Sequence, residues 1–155
     1  MMRTALFTFV GMTVLALAVA TTAQPAAAAA PINEDYRMGM KAFIGDLDRW
    51  ADELSKAAEA AAVKPELGCT SEMVELAQIG GWMADDLQGT ARLAPASLKE
   101  VHNAFTETVR AMGAHAEAAC GDAAGAAAAI RAEQVNFDRG LSRIASYVKY
   151  GAEGI

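Results

Sequence analysis

From residue 33 onward, apolar positions recur at alternating steps of three and four. The first run is Tyr36, Met40, Phe43, Leu47, Trp50, Leu54, Ala57 and Ala61. Such spacing keeps one stripe of a helix turned towards its neighbours over many turns. Three later runs repeat it. The second is Met73, Leu76, Gly80, Met83 and Leu87, and the third is Leu98, Val101, Phe105, Thr108, Met112, His115 and Ala119. The fourth is Ala127, Ile130, Gln134, Phe137, Leu141, Ile144 and Val148. The pattern predicts an all-α four-helix bundle, with helices over about 33–63, 70–92, 97–120 and 122–150.

Punctuation between the runs supports these limits. Asn33 can accept from the free N–H groups of a first turn, and Glu34 and Asp35 oppose the positive end of the helix dipole. Pro65 ends the first helix, and Thr70 or Ser71 can cap the second. Ser97 and Glu100 form a capping-box pattern for the third, and Gly121 is expected as its left-handed C-cap. Asp122 caps the fourth helix, Gly151 ends it, and the residues after Tyr150 are expected to fray.

Short loops predict an antiparallel, up-down-up-down order. That order brings Cys69, at the start of the second helix, to the same end as Cys120, at the finish of the third. These are the only two cysteines, and a disulfide between them is expected. Closing a loop of this length contributes about 4 kcal/mol in the chain-entropy model.

Residues 1–30 read as a leader rather than as part of the domain. Arg3 supplies a basic start, Ala5 to Ala20 is an uncharged apolar run, and Thr21 to Ala30 offers small-residue cleavage sites. The expected mature domain is 31–155, secreted, periplasmic or at the cell envelope. Losing Arg3 leaves 12 basic against 19 acidic side chains, a formal charge of −7. That balance, without a basic cluster, argues against nucleic acid and against anionic membrane surfaces.

Alanine fills about a quarter of the chain, well above ordinary usage. It divides the expected core. Tyr36, Phe43, Trp82, Phe105, Phe137 and Tyr147 suggest a bulky half, while Ala57 to Ala62, Ala116, Ala118, Ala119 and Ala123 to Ala129 gather near the cysteines. Between them, Trp50, Gly80, Gly81, Thr108 and Gln134 share one depth. A contact among Gln134, Thr108 and the Trp50 indole is expected there, since buried polar groups need partners. Val74, Ile79, Val109 and Val135 form an extra apolar stripe that could serve self-association.

Candidate chemistry is sparse. His115 falls on the third seam, with Met112 a turn away and Met73 at similar depth on the second helix. If the alanine-rich end is hollow, these three could hold haem or a soft metal ion. If it is closely packed, His115 is structural. His102 falls beside the seam and is expected to be solvated. The Glu-x-x-His spacing of carboxylate-bridged metal sites, a glycine-rich phosphate loop and metal-binding cysteine spacing are all absent from the sequence. The expected function is therefore non-catalytic: an exported module that binds a protein or a small apolar ligand. A haem or soft-metal carrier is the alternative.

Overall fold

The computed structural model describes residues 33–151. The expected leader and most of the expected frayed tail lie outside the described residues. The described chain is all-helical, with four helices packed together: α1 (Glu34–Val63), α2 (Ser71–Thr90), α3 (Lys99–Ala118) and α4 (Ala123–Tyr150). Short 3-10 turns at Pro65–Cys69 and Ala91–Leu93 follow α1 and α2.

Local chemistry explains most helix ends. The Asn33 side chain accepts from the Tyr36 N–H, and Thr70 and Asp122 cap α2 and α4 in the same way. Pro65 stops α1 and opens the 3-10 turn that delivers Cys69. Gly151 ends α4 at φ 69°, a backbone conformation that favours glycine.

Two expected caps do not form. The Ser97 capping box is absent; α3 starts after Leu98, with no side-chain cap. The Leu98 and Lys99 N–H groups donate instead to the Pro95 and Ala96 carbonyls, in a turn that seats Leu98 fully inside the core. Gly121 is not left-handed, because the Gly121 and Asp122 N–H groups both reach the Ala118 carbonyl through an ordinary turn.

α2 packs along α3, α1 along α4, and α3 along α4, with a slimmer contact between α1 and α2. One core cluster joins all four helices, from Tyr36, Met40, Leu87 and Tyr147 to Ala61, Ala116, Ala119 and Ala123. Midway, Trp50 lies against Gly80: a Cβ there would stand 2.5 Å from Trp50 Cζ2 and 3.1 Å from the Gly113 Cα. The expected exchange of volume between Trp50 and Gly80 is present, whereas Gly81 faces open space.

The expected polar contact at this depth is not formed. Trp50 Nε1 donates to the Leu76 carbonyl at 2.9 Å, and Thr108 donates to the Ala104 carbonyl of its own helix. Gln134 bonds Ser55 and Asp138.

Trp82 is not in the core; it is 66 % exposed. Met73, Leu76, Gly80, Ala84 and Leu87 set the inward face of α2, and two residues beyond Gly80 is more than half a turn around. Val109, expected on an outer stripe, is fully buried, while Val74 and Val135 are exposed.

Candidate functional site

The buried polar chemistry sits at one end, where α1 begins. The Tyr36 hydroxyl meets His102 Nδ1 at 3.0 Å, and His102 Nε2 meets the Leu87 carbonyl at 2.8 Å. A carbonyl can only accept, so Nε2 carries the proton and Nδ1 accepts from Tyr36. His102 is fully buried, which corrects its expected solvated position. The reason is the phase of α3. Leu98, His102, Phe105, Val109, Met112, Ala116 and Ala119 are all buried, again at alternating steps of four and three.

Burial holds the His102 imidazole below its ordinary pKa, only partly offset by the bond to Leu87. Burial, then the neighbouring Tyr147, pushes the Tyr36 phenol well above its ordinary range. Both groups are therefore neutral near pH 7. Tyr147 accepts from the Asn33 N–H at 3.1 Å and packs edge-on against Tyr36, while the Asn33 amide donates to Leu93. Among the described residues, no buried side-chain polar atom lacks a partner. This cluster ties all four helices and the Ala91–Leu93 turn together and leaves no polar group free to meet a substrate.

The expected ligand residues have different surroundings. Met73 and Met112 are buried within the core cluster. His115 is half-buried and makes no side-chain hydrogen bond among the described residues. Near the cysteines, a Cβ on Gly68 of the 3-10 turn would run into the Ala119 carbonyl, and a surface hollow of about 290 Å³ opens beside Ala57, Ala60, Leu67 and Thr70. Cys69 and Cys120 stand there at disulfide distance, with Cα atoms 4.4 Å apart. Among the described residues, no three His, Cys, Asp or Glu side chains gather as a metal site.

Two surface features remain, and neither was singled out by the seam pattern. One is Trp82, with Asp85 and Asp86 one turn further along α2. Arg110 already reaches Asp85 at 3.7 Å. The other is a groove of about 260 Å³ between α3 and α4, floored by Val101, Ala104, Phe105 and Gly140 and edged by Arg139 and Arg143. A search for unpaired aromatic or basic residues opposite each seam would have found Trp82 and the two arginines. The groove itself depends on packing that no single residue announces.

Comparison with known proteins assigns nothing further: no protein family, curated protein or solved structure matches the chain.

Proposed function

We propose that the chain is an exported, non-catalytic helical bundle that acts by binding a basic protein segment at the cell envelope or outside the cell. The observation that carries this is Trp82, 66 % exposed at the middle of α2. Tryptophan left in water forgoes a large burial gain, and it is the side chain most often found at the energetic centre of interfaces. Asp85 and Asp86 lie beside it at the three- and four-residue spacing of helix neighbours. An indole face next to carboxylates suits a guanidinium or ammonium group, which gains cation–π attraction and an ion pair together.

Export is supported by the leader pattern of residues 1–30 and by a cysteine pair compatible with an oxidising compartment. Among the described residues, no helix is long and apolar enough to cross a membrane. An up-down-up-down order is supported by paired residues that run oppositely: Tyr36 with Tyr147, Trp50 with Phe137, Ser55 with Gln134 and Glu59 with Arg131. The haem or soft-metal alternative takes second place, because Met112 and Met73 would have to leave the core to share a ligand with His115.

The test is a fluorescence titration of the oxidised protein with an arginine-containing amphipathic peptide, using a Trp50→Phe background so that Trp82 alone reports. Trp82 emission should shift to the blue on binding. Trp82→Ala, in the wild-type background and measured by calorimetry, should weaken the peptide by about tenfold or more, the equivalent of about 1.4 kcal/mol. Equal affinity in Trp82→Ala would overturn the reading, since plain attraction to an acidic protein needs no indole.

A further inference from the structure

A different observation, independent of the α2 face, concerns the groove between α3 and α4. Its floor begins with a glycine. A Cβ on Gly140 would stand 2.6 Å from Phe105 Cδ2, so only glycine lets the Phe105 ring lie this close to the α4 backbone. Beside that contact, Val101 and Ala104 leave an apolar hollow of about 260 Å³.

The rim has the opposite character. Arg139 and Arg143 are four residues apart on α4, so both guanidinium groups edge the same opening. Neither forms an ion pair or a side-chain hydrogen bond among the described residues. Lys41, Lys64, Arg92, Lys99 and Lys149 likewise have none, whereas Arg37, Arg49, Lys56, Arg110 and Arg131 each have a carboxylate within 4.0 Å; what sets Arg139 and Arg143 apart is that they stand together at an apolar hollow. In a protein with a formal charge of −6, two adjacent unneutralised arginines at an apolar hollow form a local reversal of sign. Guanidinium groups bind planar carboxylates through paired N–H donors. An apolar floor with convergent polar groups at one edge is the usual composition of a small-molecule site.

We propose that this groove binds a single-chain fatty acid, with the acyl chain laid over Val101 and Ala104 and the carboxylate held by Arg139 and Arg143. A free carboxylate is favoured over an anionic bilayer because the acidic remainder of the surface would be repelled by a charged membrane, whereas a lone monoanion enters a groove whose polar lining is Thr108, Asn136, Arg139 and Arg143, with no carboxylate.

The probe is dodecanoate, kept below its micellar concentration and titrated calorimetrically into the oxidised protein as purified after export. Saturable binding should appear. Dodecanol, which lacks the charge, and butyrate, which lacks the chain, should each bind at least about tenfold more weakly. The double substitution Arg139→Gln/Arg143→Gln should lose about tenfold or more for dodecanoate while leaving dodecanol unchanged. Ala104→Trp, an exposed position that fills the hollow without entering the core, should abolish binding of both. Circular dichroism and thermal melting check that each variant is folded.

Equal binding of dodecanoate and dodecanol would overturn the assignment, as would unchanged affinity in Ala104→Trp. So would association with phosphatidylglycerol vesicles combined with no response to monomeric dodecanoate. Because the site and its variants are separate from Trp82, failure here leaves the peptide-binding test intact, and the reverse also holds.

Discussion

The end of the molecule that holds Tyr36, His102 and Tyr147 and the end that holds Cys69 and Cys120 solve the same packing problem by different means. At the first, large rings meet edge-on, and Asn33, Tyr36, His102 and Tyr147 pair every buried polar atom. At the second, the buried side chains are mostly methyl groups: Ala58, Ala61, Ala116, Ala119, Ala123, Ala126 and Ala127. Methyl groups bury little area, so each contributes little to the hydrophobic term. The close backbone approach at that end is Gly68 of the 3-10 turn against the Ala119 carbonyl, which glycine's missing side chain permits. The cysteine pair lies at the end where side-chain burial is weakest. Strength from side chains and strength from a covalent tie are thus distributed in complement along the bundle.

The largest test of that comparison removes the tie. Replacing both Cys69 and Cys120 by alanine opens a cross-link spanning 51 residues and should cost about 4 kcal/mol in the chain-entropy model. Urea denaturation of the oxidised protein and the double variant measures it. The comparison also predicts where the loss falls. Amide exchange should accelerate most in the last turns of α1 and α3 and the first turns of α2 and α4, and least around Tyr36 and Tyr147. Uniform acceleration would show that the two ends are not separately held.

The second test acts on the ring-rich end. His102→Leu keeps an apolar volume but strands the buried Tyr36 hydroxyl, which should cost about 1–3 kcal/mol. Adding Tyr36→Phe removes the stranded group, so the double variant should be less destabilised than the two single changes together. The pH dependence follows from the burial of His102. The folded-state pKa of His102 is lowered, so the folded protein takes up this proton less readily than the unfolded chain. Its contribution is complete above the unfolded value of about 6.5 and is lost as pH falls through that value towards the folded one. Chemical denaturation between pH 7.5 and pH 5 (roughly spanning that window) should show stability declining on acidification, and His102→Leu should flatten this part of the curve.

How far the sequence discloses these features depends on how many signals agree. The four helices were legible because seam spacing, proline stops and caps at Asn33, Thr70 and Asp122 all point to the same limits. The cysteine pairing was legible because loop lengths brought both residues to one end. The phase of α3 was less so. Leu98, Phe105, Met112 and Ala119 fit two seams equally well: one adds Val101, Thr108 and His115, the other His102, Val109 and Ala116. The second set has two apolar members against one in the first, and it is the set fully inside the protein. Trp82 misled for a related reason: bulk alone suggested the core, although its angle from Gly80 and Leu87 points outward. The groove was not legible, because it arises from the fit of Phe105 to Gly140 across two helices.

The smallest effect completes the comparison, because the two histidines exchange roles. His115 sits on α3 between the buried Met112 and Ala116 yet is only half-buried, and it has no side-chain hydrogen bond among the described residues. Its loss removes neither a cavity-filling group nor a polar partner, so His115→Ala should change stability by less than about 0.5 kcal/mol. The same variant bears on haem carriage: hemin added to the wild-type protein should give no Soret shift that depends on His115. A shift lost in His115→Ala would mean that the alanine-rich end opens to admit a ligand. The cysteine end would then be the mobile end of the bundle and the ring-filled end the fixed one.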